Sequence, residues 1–265
     1  MRRFLIATTS IQLQRSLLHR EFWIQLVLER LLPLAIPLLA WQSIFEFSQK
    51  NELAGWTQHQ MIAYYLLVFI IGIFTNIQFH YEMSSMVHMG TLSQWLIRPL
   101  SFLETVAAHI AARSIILLIP GSIIFLLALW FYPAILAALS FSNLLAALLV
   151  LPLAIVMFGL LSAAIGMLSF WIMHTDSVFA LTMLVLEFFG GRLLPLDMLP
   201  SWLEKISRFL PLRFAIAGPV EVILRPSMST VPPLLLGQFL WCLLLSGLVI
   251  LLWRYGMRRY DAVGG

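Results

Sequence analysis

Charge is what this chain has least of: 11% of its 265 residues are Asp, Glu, Lys or Arg, while 61% are hydrophobic. Soluble domains carry roughly 25% charged residues, so a water-solvated globule is excluded and an integral membrane protein is indicated. From Ser114 to Thr175 there is no Asp, Glu, Lys or Arg at all. That run is long enough for two spans of about 20 residues each, with a turn at Tyr132-Pro133 or between Ser140 and Asn143. The spans consume nearly the whole length, leaving no room for a separate soluble domain, and the chain reads as one transmembrane domain over residues 1–265.

Lysine is rarer still. Only Lys50, after Gln49, and Lys205, after Glu204, are present, which excludes a Gly-Lys-Ser/Thr phosphate loop and with it ATP binding of that kind. The one cysteine, Cys242, lies inside the last apolar run, so neither an internal disulfide nor a cysteine zinc site can be drawn. The histidines (His19, His59, His80, His88, His109, His174) are scattered without His-Glu-x-x-His or paired metal spacing. His80 and His88, eight apart, read as polar positions facing solvent. No serine is marked by a positioned base. The chain is expected to bind no cofactor or metal and to catalyse no reaction itself. Its net charge of +4 resides at span flanks, which suits anionic lipid headgroups rather than nucleic acid.

What remains is apolar helix. Hydrophobic windows place six spans near residues 23–47, 60–79, 107–131, 144–171, 177–196 and 232–253, an all-α polytopic fold. The first residues differ: Phe4, Leu5, Ile11, Leu17 and Leu18 mix with Arg2, Arg3, Arg15, His19 and Arg20, as in a helix lying in the interface over 1–21. Gln12, Gln14 and Arg15 interrupt the apolar core that a signal peptide would need. Six spans put both termini on one side, with Arg2, Arg3, Arg15, Arg20, Arg98, Arg113, Arg254, Arg258 and Arg259. Lys50, Arg192, Lys205, Arg208, Arg213 and Arg225 fall on the other. The bias predicts cytoplasmic termini in the plasma (inner) membrane.

Two charges enter the apolar windows. An ionised Glu187 near the middle of the fifth span costs on the order of 2.5 to 3.5 kcal/mol, so it needs a partner, a proton or water. It either lines a substrate path or bonds within a helix interface. Glu29 and Arg30 are adjacent in the first span and face different ways; Arg30 can snorkel to headgroups, leaving Glu29 to find a protein partner.

Two segments outside the spans carry more apolar surface than loops should. Residues 190–219 read GGRLLPLDMLPSWLEKISRFLPLRFAIAGP. Pro195, Pro200 and Pro211 break any helix there, yet the leucines still require apolar partners, which predicts a re-entrant outer hairpin. Within it Ser201-Trp202-Leu203-Glu204 has the form of a capping box opening a short amphipathic helix, with Trp202, Ile206 and Phe209 on one face and Glu204, Lys205 and Arg208 on the other. Residues 80–104 join spans two and three and hold Met83, Met86, Val87, Met89, Leu92, Trp95, Leu96 and Ile97, an adaptable face of the kind that meets protein partners.

Together these features resemble the permease subunits of type-2 ABC exporters. Gly90-Thr91-Leu92-Ser93 followed by Leu96-Ile97-Arg98-Pro99-Leu100-Ser101 is similar to the cytoplasmic signature of one bacterial branch, the ABC-2 family permeases. Leu194-Pro195-Leu196-Asp197-Met198-Leu199-Pro200, Phe209-Leu210-Pro211-Leu212-Arg213-Phe214 and Pro219-Val220-Glu221 resemble its hairpin, and Arg258 to Gly265 its usual ending. The resemblance implies an exporter in which separate ATPase subunits bind ATP and Mg and drive a pair of permeases, identical or related. It implies that Met86, Gly90, Leu92, Leu96, Arg98 and Pro99 form or brace a coupling helix seated on the ATPase. It further implies that Glu187, Gly190, Gly191, Pro195 and Pro200 belong to the exit side of the path. Such permeases commonly carry charges around the glycine of the coupling segment; here Met89 and Thr91 flank Gly90, so the contacts are expected to be more apolar. A stand-alone secondary transporter or channel would instead show several intramembrane carboxylates or an internal repeat, and a non-transporting scaffold is the third alternative.

Overall fold

The computed structural model describes residues 32–97, 101–131, 141–224 and 230–260. The expected interfacial helix 1–21, Glu29, Arg98 and Pro99 lie outside them.

Helix α1 (Leu32–Ser48) carries Pro37 inside it and packs on α2. A small hairpin follows, β1 (Glu52–Leu53) pairing antiparallel with β2 (Trp56–Thr57) in the register Leu53↔Trp56. Its two-residue turn, Ala54-Gly55, has positive φ at both positions (51° and 80°), the backbone that matches the twist of a tight hairpin. Thr57 then caps α2 (Gln58–Phe74): its hydroxyl accepts from Gln60 N while the Gln60 side chain accepts from Thr57 N, satisfying two end donors reciprocally.

Helix α2 is buried along almost its whole length, which explains why its apolar residues show no single face. After a break at 75–78, where the Thr75 hydroxyl bonds Ile71 O at 2.9 Å, the chain continues as α3 (Phe79–His88). Gly90, at φ 70°, ends it, the left-handed cap that glycine adopts at low cost. The short α4 (Leu92–Leu96) follows. Next come two long helices, α5 (Phe102–Phe131) and α6 (Phe141–Met167). Ser101 and Glu104 form a second capping box, Ser101 N donating to Glu104 at 2.8 Å and Glu104 N to the Ser101 hydroxyl at 3.3 Å. Helix α6 is the hub, contacting α3, α5, α10 and α11.

Beyond it lie α7 (Thr175–Phe189), α8 (Ser201–Phe209), α9 (Pro211–Ala215), α10 (Ala217–Leu224) and α11 (Val231–Met257). Four helical stretches are long and apolar enough to cross a membrane: 58–88, 102–130, 141–170 and 231–257. They coincide with four of the expected spans. Their outward residues, among them Leu126, Trp130, Leu148 and Leu243, are exposed, as lipid-facing side chains are. The helix expected over 177–196 runs from Thr175 to Phe189; it stops at Gly190, because Gly191 takes φ 78° and turns the chain away.

Candidate functional sites at the two ends of the bundle

At one end, the turn after α7 is held by aromatic residues of α2. Tyr64 donates its hydroxyl to Gly191 O and Tyr65 to Leu193 O, each at 2.5 Å. Trp41 of α1 donates its indole N–H to the Tyr65 oxygen at 2.9 Å. Gly190 O accepts from Ala217 N at 3.1 Å, tying the turn to α10. A Cβ on Gly191 would lie 2.7 Å from the Ala217 Cβ and 2.8 Å from the Tyr64 oxygen. Gly190 and Gly191 are thus a buried, sterically required turn rather than a loose hinge.

Glu187, which the sequence left without a counter-charge, pairs with Arg192 at 3.2 Å. Arg192, the residue after the two glycines, is therefore its partner across the turn. Gly72 of α2 makes the space: a Cβ there would come within 3.1 Å of the Arg192 guanidinium. Pro195 is buried, whereas Pro200 is exposed and caps α8 through its carbonyl, which accepts from Leu203 N and Glu204 N.

The expected capping box at Ser201 does not form. Ser201 is already inside α8 and makes no side-chain cap bond, because a capping serine must stand one residue before the helix; Glu204 pairs with Arg208 instead. The two faces of α8 are as expected, with Trp202, Ile206 and Phe209 outward and exposed.

Behind α8 a cavity of about 520 Å³ opens between the hairpin and the start of α11. Its polar wall comprises Asp197, Glu204, Arg208, Arg213 and Glu221. Arg213 and Glu221 pair at 3.1 Å, and Trp56, carried in by the β-hairpin, donates its indole N–H to both Asp197 oxygens at 2.9 and 3.1 Å. Burial pushes the Glu221 carboxyl above the usual carboxylate range; Arg213 opposes that and Asp197 adds to it. Trp56, Tyr64 and Tyr65 were not singled out in the sequence. The signal was present, since buried aromatic residues with polar tips require acceptors.

At the other end, α3 and α4 carry the methionine-rich segment. Leu92 is buried and Met86 packs against the core, so both brace the segment from within. Met89, Leu96 and Ile97 are exposed beside Gly90. The Gly90 carbonyl accepts from the Ser93 hydroxyl at 2.9 Å and from the Tyr260 hydroxyl at 3.1 Å, so the segment is fastened to the chain just past α11. Phe102 stacks on Trp253 (centroids 4.0 Å apart), and Phe170 meets both Trp253 and Tyr260 edge-on.

Nearby, Glu82 of α3 pairs with His109 of α5 at 2.9 Å. His80 is not the solvent-facing residue expected: it is fully buried, stacked on Phe179 at 3.7 Å, with its ring nitrogen 3.1 Å from the Ser162 hydroxyl. The His88 that was expected beside it stays exposed.

The arrangement thus has a buried core, a charged cavity at the hairpin end and an exposed apolar patch at the opposite end. No curated protein matches the chain. A family model described as ABC-2 family transporter protein matches residues 31–264, which includes both ends of the bundle, and the chain belongs to that family of membrane-embedded ABC-2 permeases.

Proposed function

We infer that this chain is the transmembrane subunit of an ATP-driven exporter. The family match over residues 31–264 carries this reading. Two copies, or this chain with a related one, form the path, and separate ATPase subunits bind ATP and Mg and supply the energy. In this reading the chain has six spans, α1 and α7 contributing to two of them. Both termini are cytoplasmic in the inner membrane, with the hairpin 190–219 on the outer side and residues 1–21 lying along the inner surface among the lipid headgroups.

The exposed trio Met89, Leu96 and Ile97 meets the ATPase, backed by Met86, Gly90 and Leu92. Arg98 and Pro99, outside the described residues, belong to the same coupling segment in this reading. Glu187, Gly190, Gly191, Pro195 and Pro200 shape the exit, and Glu29 finds its partner within the complex. The rigid Tyr64–Gly191 and Tyr65–Leu193 bonds support a hairpin that moves as a unit with α2.

The test is to tag the chain in its native host, extract it in mild detergent and identify what co-purifies. A stoichiometric subunit with a phosphate-binding loop is expected, and a second permease, if present, appears in the same sample. Recovery of this chain alone, active in liposomes without ATP, overturns the reading in favour of a secondary carrier or channel.

A further inference from the structure

Among the described residues, the cavity behind α8 is lined by more negative than positive groups. Of its five charged residues, both arginines are already matched, Arg208 with Glu204 and Arg213 with Glu221. Asp197 remains: it accepts only the neutral Trp56 indole among the bonds the structure gives it, and among the described residues no cation lies within ion-pair distance. Apart from Thr230 and the Trp56 indole, the rest of the described lining is apolar, including Phe214, Val222 and Leu234. A carboxylate without a counter-charge beside aromatic and aliphatic surface attracts a positive group that carries its own apolar body. The space, about 520 Å³, falls within the range of pockets that hold small organic molecules.

We propose that this cavity binds an organic cation, with its charge against Asp197 and its apolar body against Phe214, Val222 and Leu234. The inference deepens the exporter reading and rests on it for one point, that the cavity lies on the exit side. The ligand is then either the exported compound on its way out or a cation taken up from outside.

The probe is tetraphenylphosphonium, with the anion tetraphenylborate as the control for simple partition into lipid. Saturable binding is measured on the purified chain in nanodiscs. Asp197→Asn suits the test because asparagine keeps an oxygen for the Trp56 indole and removes only the charge. It is expected to weaken binding about tenfold, equivalent to roughly 1.4 kcal/mol. Asp197→Glu is expected to retain binding, as is Glu46→Gln on exposed α1. If the cation binds no better than the borate, or if Asp197→Asn binds like the parent, the proposal fails.

ATP-driven uptake of the same cation into inverted membrane vesicles separates the two sources. A parallel loss of uptake in Asp197→Asn identifies an exported substrate; lost binding with no ATP-driven uptake by the parent identifies an external ligand. Charge-dependent binding by a chain that associates with no ATPase would keep the site and sink the exporter reading, whereas ATPase association with charge-independent binding would do the reverse.

Discussion

Tyr64 and Tyr65 show how much depends on two hydroxyl groups. Each phenol lies in the buried helix α2, and each bonds a carbonyl in a turn more than a hundred residues away along the chain. Removing a buried donor leaves its acceptor unsatisfied at a cost of about 1 to 3 kcal/mol. The two sites differ in what can replace the bond. Gly191 is buried, while Leu193 is exposed, so water can reach the second carbonyl but not the first. Tyr64→Phe is therefore expected to lower the thermal midpoint of the detergent-purified protein more than Tyr65→Phe, measured by loss of the monodisperse chromatographic peak on heating. An equal effect would show that the Gly191 carbonyl is hydrated. At the same turn, the Glu187–Arg192 pair resolves the intramembrane carboxylate that the sequence presented alone. Arg192 stands five residues along, but only the reversal at Gly191 brings it back, and no helical spacing foretells that.

At the scale of elements, long uncharged runs were legible because they have one physical solution in a membrane, a helix that satisfies its own backbone. The runs at 60–79, 107–131, 144–171 and 232–253 became α2 with its continuation, α5, α6 and α11. Only the end of the window 177–196 differs, because apolar residues continue on both sides of Gly190-Gly191 and hydrophobicity does not register a left-handed glycine. The Ser-x-x-Glu pattern at 201–204 misled for a similar reason: spacing alone does not say whether the serine stands before the helix or within it, and the Pro200 carbonyl took the role. The burial of His80 is hidden in the sequence because its partner, Ser162, lies 82 residues away on α6.

Gly90 supports a prediction for its element. With φ at 70°, an alanine there costs about 1 to 2 kcal/mol, and relief requires α4 to shift relative to α3. That shift would also break the Tyr260–Gly90 bond. Gly90→Ala is expected to uncouple ATP hydrolysis from transport in the assembled complex while leaving the membrane core intact. A variant with unchanged transport per ATP hydrolysed would show that this turn does not position the contact segment.

For the whole molecule, the core formed by α2, α3 and α6 separates a charged cavity at one end from an apolar patch at the other, so any signal between them must move helices as bodies. A close-packed interior transmits displacement rather than absorbing it. The patch can be tested apart from the core because its residues divide by burial. Met89, Leu96 and Ile97 are exposed, whereas Leu92, on the same segment, is 2% exposed. Replacing a buried leucine by aspartate places an unpaired charge inside and is expected to prevent folding, so loss of function in Leu92→Asp would say nothing about a partner. Met89→Ser, Leu96→Ser and Ile97→Ser together remove only outward apolar surface, and surface changes of this kind usually alter stability by about 0.5 kcal/mol or less each. The triple variant is expected to reach the membrane at parental level, to keep its chromatographic profile and to lose its co-purifying ATPase. If the ATPase remains bound to the triple variant, its seat lies elsewhere on the chain, and the exposed methionine, leucine and isoleucine cover lipid rather than a protein groove.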